Sequence, residues 1–225
     1  MSKRRAFHLY MARTFLGLMV VLALVGCQQG AVVHAKGASA ESIALQPGDA
    51  VGLQRCAGSG DMQTVLREEQ SNHQPGYYQN ATEWQQWKTR GATEAYFAAY
   101  GQTPADCGAV SATGTTGAPT GGLMAGLVVK FKDPAIAART FRADLTLLGF
   151  GPKDITFIQL VGGRVMTGAD TGLGPQSVIG MGSAAGSTYY FAFWQNKTAD
   201  SFLIAYDLPS ANAHGAAESV NQRMS

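Results

Sequence analysis

The sequence is short of the residues from which active sites are most often built. Its four histidines, His8, His34, His73 and His214, form no HxH or HExxH pair, so the spacings that bring two imidazoles to one zinc ion are missing. Its three cysteines contain no CxxC, which excludes the common redox and zinc-ribbon pairs. No GxSxG marks a nucleophile turn, although a Ser-His-Asp set gathered from across the chain stays open. Charged residues make up only 14% of the chain. No apolar run approaches the ~20 residues that a membrane-crossing helix needs.

What is present begins at the N-terminus. Lys3, Arg4, Arg5 and Arg13 precede an apolar stretch, Phe15 to Val25, and polarity returns at Gln28-Gln29. Basic start, short apolar centre and small residues at the end are the three parts of an export signal. At ~1.5 Å per residue the apolar centre spans about 16 Å, near half of a hydrocarbon core. Leu24-Val25-Gly26-Cys27 resembles the lipobox of bacterial lipoproteins. The resemblance covers the first 30 residues and implies cleavage before Cys27, with diacylglycerol on its thiol. An ordinary secretory signal, or an uncleaved anchor with an incidental cysteine, is the alternative. The expected organisation is a signal peptide at 1–26, a lipidated cysteine and flexible tether at 27–43, and one extracytoplasmic domain at 44–225. The partner implied first is therefore the membrane, through lipid on Cys27, on its extracytoplasmic face or at the outer membrane of a Gram-negative host.

Removing the signal changes the charge balance. Of 17 basic residues four lie before Cys27, while all 15 acidic ones follow it, so 13 against 15 leaves −2. Such a surface is not that of a nucleic-acid-binding protein. With Cys27 acylated, Cys56 and Cys107 remain, and in an oxidising compartment a pair of cysteines is expected to form a disulfide. Two separate buried thiols are the other reading.

Hydrophobic patterning predicts an α+β fold, a curved antiparallel sheet with helices on one face. Asn80 to Tyr100 reads as helix, with Thr82 as cap and a break at Gly91. Met62–Glu69 fits either strand or helix. Gly108–Gly122 is Gly, Ser, Thr and Ala almost throughout and reads as a flexible loop. Leu123–Phe131 reads as a buried strand, followed by a helix from the Asp133-Pro134 start to Leu148. Strands are expected at Asp154–Leu160, Arg164–Thr167, Ser177–Met181, Thr188–Gln195 and Phe202–Tyr206, with a loop at Asn196–Asp200, and a last helix at Ser210–Met224.

Chemistry is harder to find. Gly180-Met-Gly182-Ser-Ala-Ala185 matches a loose dinucleotide fingerprint, but the β-rich Thr188–Trp194 follows where that motif needs a helix. No cofactor is therefore expected. Glu68 and Glu69 read as solvated. Tyr77, Tyr78, Trp84, Trp87, Tyr96 and Trp194 are candidate binding aromatics, either in the core or lining a cleft for a small apolar ligand. From Tyr190 to Arg223 an aromatic strand, a polar turn, a second strand and a helix after Leu208-Pro209-Ser210 look like the small α/β domains of actinobacterial envelope lipoproteins and extracytoplasmic kinase sensors. That likeness transfers no functional residues. The function expected is a non-catalytic lipoprotein that binds a ligand or an envelope protein. An exported hydrolase, and then a transporter's solute receptor, are the alternatives.

Overall fold

Two stretches of consecutive apolar residues, Ala95–Tyr100 and Leu123–Val129, decide the architecture. A strand sends successive side chains to opposite faces, so a strand apolar at every position needs cover on both. The computed structural model describes residues 37–109, 119–143, 145–149, 151–155, 158–159, 162–184 and 186–225. The expected signal peptide, Cys27, most of the expected tether and the middle of the Gly/Thr-rich loop lie outside the described residues.

From Ala38 onward the chain forms one compact unit, and its packed structure starts ahead of the expected boundary at residue 44. Helix α1 (Ala40–Ile43) already buries Ala40 and Ile43. Strands β1 (Gln54–Arg55) and β2 (Gly60–Asp61) follow, then helices α2 (Met62–Ser71) and α3 (Tyr77–Thr89), β3 (Ala92–Gly101), α4 (Pro104–Ala109), β4 (Leu123–Phe131) and α5 (Pro134–Arg142). The second half adds β5 (Arg164–Thr167), β6 (Ser177–Ala184), β7 (Ser187–Asn196), β8 (Ala199–Tyr206) and α6 (Ser210–Arg223). The sheet runs β1-β3-β4-β8-β7-β6-β5, with β2 also on β3, and every pairing is antiparallel.

The α+β class stands, but the expectation of a curved sheet with helices on one face is corrected. The sheet is open, with β1 and β5 at the ends of its path, and both its faces are covered. On one face Tyr96, Ala98 and Tyr100 of β3 and Tyr190, Ala192 and Trp194 of β7 pack under α1 and α6. On the other, Ala95, Phe97 and Ala99 pack with Phe193 and Phe202 against α2, α3 and α5. The unbroken apolar runs of β3 and β4 carried this information: half-covered strands alternate with polar residues, and these do not.

Several elements differ from expectation for local reasons. The stretch after Gly91 is strand, because Gly91 turns the chain with φ +105° and ATEAYFAAYG then alternates large and small residues on each face. Helix α3 starts earlier than expected, at Tyr77, and Thr82 sits inside it with its hydroxyl donating to the Tyr78 carbonyl (2.7 Å). Asp133 does cap α5, accepting from the Ile136 N–H (2.8 Å). That helix ends at Arg142, well before Leu148, which itself has φ +57°. Where a strand was expected from Asp154, Pro152–Ile155 is a 3-10 turn. Ile155 and Ile158 then press on Gly180, where an added Cβ would lie 2.4 Å from the Ile158 Cδ1. The glycine of the apparent dinucleotide motif is thus a close-packing residue inside β6.

Two long-range ties complete the frame. Cys56 and Cys107 are joined by a disulfide, which fastens α4 beside β1. Arg223, at the end of α6, donates to the carbonyls of Ile43 and Ala44 (both 3.0 Å) and forks onto Asp49.

Candidate functional site

The alternation of β8 places Asp200, Phe202 and Ile204 on the face that meets α5. Asp200 pairs across the sheet with Val129 and Gln195, and its side chain points among apolar neighbours. It is 4% exposed, and neither carboxyl oxygen finds a hydrogen-bond donor among the described residues. An isolated buried carboxylate is among the costliest groups a fold can hold. Burial accordingly pushes the Asp200 carboxyl up from 3.8 to about 8, so it is largely protonated at neutral pH.

This carboxyl lines a cavity of about 30 Å³ between α5, the Leu145–Pro152 segment and strands β4, β7 and β8. Its walls are Trp87, Phe141, Phe193 and Phe202, among aliphatic residues. Phe193 and Phe202 lie with ring centroids 5.5 Å apart. The Trp87 indole is held in place by its N–H, which donates to the Thr146 carbonyl (2.8 Å). Polar neighbours are committed elsewhere: the Thr140 hydroxyl donates to Ile136 O (3.0 Å) and the Ser201 hydroxyl to Leu127 O (3.0 Å). Among the described residues that line the cavity, Asp200 is the one ionisable side chain. At the rim, Phe141, Leu145 and Pro152 are half-buried, so the cavity is reached from solvent between apolar side chains.

Two larger grooves have a more polar lining than this cavity. One of about 460 Å³ is lined by Glu41, Asp61, Glu94, Trp84 and Tyr96, but its carboxylates already serve the fold. Glu94 accepts from the Ala40 N–H (3.0 Å) and Glu41 from the Tyr96 hydroxyl (3.1 Å). Asp61 caps α2, and its bond from the Thr64 hydroxyl holds its carboxyl below the usual range. The other groove, about 370 Å³, runs beside the disulfide and reaches Glu68 and Glu69. Here the solvated reading of Glu69 is corrected: it is 4% exposed and accepts from the Asn80 amide (2.9 and 3.2 Å). Burial raises its carboxyl, and that bond opposes the rise. Among the described residues none of these three cavities is lined by a histidine. His214 instead shares Nδ1 with the Tyr190 hydroxyl (3.0 Å) and faces Glu218 (3.4 Å). Among the described residues no group of three or more His, Cys, Asp or Glu side chains is placed to hold a metal ion.

The aromatics singled out in the sequence do not form one cleft. Trp84 and Trp87 lie on the α2–α3–α5 face, Tyr96 and Trp194 on the α1–α6 face. Trp194 is wholly buried, its N–H against the Met224 sulfur (3.1 Å). Tyr77 and Tyr78 stack edge to face at the start of α3, with Tyr78 81% exposed. Only Trp87 of the six reaches the cavity of Asp200. Asp200 itself was missed because an aspartate next to Asn196-Lys-Thr reads as loop. The signal lay in Asp200-Ser-Phe202-Leu-Ile204, where an acid takes an apolar position of a two-residue repeat.

No protein-family model matches the chain, and no curated protein is significantly similar to it. No helix among the described residues is long and apolar enough to cross a membrane. Among solved structures, the extracellular domain of PknH from Mycobacterium tuberculosis is similar over 61% of this chain and 67% of that one, at 11% identity and a TM-score of 0.38.

Proposed function

We propose that the chain is an exported, lipid-anchored binding module of the cell envelope, held by lipid on Cys27, that takes a small ligand into the cavity beside Asp200 and does no chemistry on it. The observation that carries this reading is the cavity itself. It combines aromatic walls, one polar group with no hydrogen bond among the described residues, and half-buried apolar side chains, a lining of the kind that holds small ligands though on a smaller scale. Among the described residues that line it there is no second acid and no base, and the Ser201 hydroxyl is spent on the Leu127 carbonyl. The Cys56–Cys107 disulfide supports an oxidising compartment, and the lipobox likeness supports the anchor. An envelope protein remains the other class of partner, and the exported hydrolase and solute receptor gain no support from the grooves.

Two measurements test this. A fatty-acid analogue fed to cells should label the wild-type protein and leave Cys27→Ala unlabelled; label on the variant removes the anchor from the reading. Titrating butanol against full-length protein in detergent should shift the Trp87 indole N–H resonance and leave that of Trp194 in place. A Trp87 signal unmoved by any small apolar or amphiphilic probe overturns the pocket.

A further inference from the structure

The cavity beside Asp200 is selective in charge and in width. We infer that it takes the head of an unbranched primary alkylammonium, with Asp200 as counter-ion and the aromatic rings as walls. This deepens the binding role proposed above and rests on it.

Three features converge on that class of ligand. The first is the unused carboxyl: two oxygens with no donor among the described residues call for a group bearing several N–H donors, and a primary ammonium bears three. The second is the wall. Trp87, Phe141, Phe193 and Phe202 offer ring faces and edges, and ring faces attract cations when water is excluded. The third is size. The cavity, at about 30 Å³, is narrow enough to favour a compact head over a branched one. An ammonium head fits that space, and a trimethylammonium head does not. The alkyl stem then lies along the half-buried Phe141, Leu145 and Pro152 at the rim.

Binding has a proton balance. The carboxyl is mostly protonated in the empty cavity at neutral pH, because burial opposes its charge and no other ionisable side chain among the described residues lines the cavity to offset that. Entry of a cationic amine makes the carboxylate the favoured form, so the O–H bond breaks and its proton leaves to solvent, one for each amine bound. Affinity for butylammonium therefore rises about tenfold per pH unit between pH 5 and 7, and affinity for butanol stays level.

The test titrates full-length protein in detergent with butylammonium chloride, butanol and tetramethylammonium chloride, following the Trp87 indole resonance. Calorimetry in buffers of different ionisation enthalpy counts the protons released. The expected result is pH-dependent butylammonium binding with proton release, none by tetramethylammonium, and loss of the amine but not of butanol in Asp200→Asn. Equal amine binding by Asp200→Asn, or a flat pH profile with no proton released, overturns the ammonium site and leaves the apolar pocket standing. Failure of butylammonium and butanol alike overturns the pocket, and with it the function proposed above. Proton counting on the wild-type protein keeps the inference testable even if the variant fails to fold.

Discussion

The two faces of the sheet are built to different standards. Under α1 and α6 the cover is mostly small residues, Ala40, Ala213, Ala216 and Ala217, with Ile43 and Val220 beside them, set against large ones on the strands, Tyr190, Trp194 and Leu203. Polar groups on that side are paired: Tyr100 with Leu45 O, Tyr190 with His214, and Arg223 with three partners on the α1 side. Under α2, α3 and α5 the fillers are larger, Trp84, Trp87, Phe193 and Phe202. That face contains both an unpartnered acid and an open space. It also carries the disulfide. One face has these polar groups paired; the other is cross-linked and holds an unpaired acid beside a cavity. Stability can be concentrated on one side of a sheet, which leaves the other side free to hold a costly group.

The sharpest way to break this contrast is through pH. Asp200 takes up its proton near pH 8 in the folded chain and near 3.8 when exposed. Between those values the native state binds the extra proton, so stability is fully present below about pH 4 and is lost as pH rises toward 8. The slope is at most ~1.4 kcal/mol per pH unit from this one group. Urea unfolding of the wild type should show that decline on top of the protein's other titrations, and Asp200→Asn should remove it. Identical profiles for the two proteins would mean that the carboxyl is not the strained group described.

Next in size is core truncation. Trp194→Ala on the α1–α6 face should cost about 3–5 kcal/mol, read from the urea midpoint. Trp87→Ala should cost less, because its neighbour is already a void and its ring is not wholly enclosed. The reverse order would erase the difference in packing between the faces. Breaking the Cys56–Cys107 link by Cys→Ala at both positions should cost about 2–4 kcal/mol. The loss should appear first as faster amide exchange in α4 and β1, and uniform exchange changes would show that the link does not belong to one face. Smallest is Asp133→Ala, which removes the α5 cap for about 1 kcal/mol. If α5 roofs the cavity, that variant should also speed entry of butylammonium, as read by NMR line broadening.

How far these properties could be read from sequence depends on range. The Asp133-Pro134 start of α5, the strand Leu123–Phe131 and the last helix were legible because caps and apolar runs are local signals. So was the disulfide, once the export expected from the N-terminal segment had narrowed the chemistry of Cys56 and Cys107. The strand after Gly91 was not, since Trp84, Trp87, Ala95, Tyr96 and Ala99 satisfy helical spacing while their true partners lie on β4. Two-sided cover is written in the apolar residue at every position of Ala95–Tyr100 and Leu123–Val129, a signal apart from strand identity alone. The site was least legible of all. Its members, Trp87, Phe141, Phe193 and Asp200, come from four elements, and an unpaired acid is recognisable only when its neighbours are known.

The Arg223 fork has a consequence for the order of the chain. By joining the end of α6 to the carbonyls of Ile43 and Ala44, it brings the first and last helices of the described domain side by side. The path of the backbone is thereby close to a ring. Linking Ser225 back to Ser39 through a few glycines and opening the chain at the exposed Lys197 turn would yield a circular permutant with every strand neighbour unchanged. In such a molecule β8 would come first and β7 last.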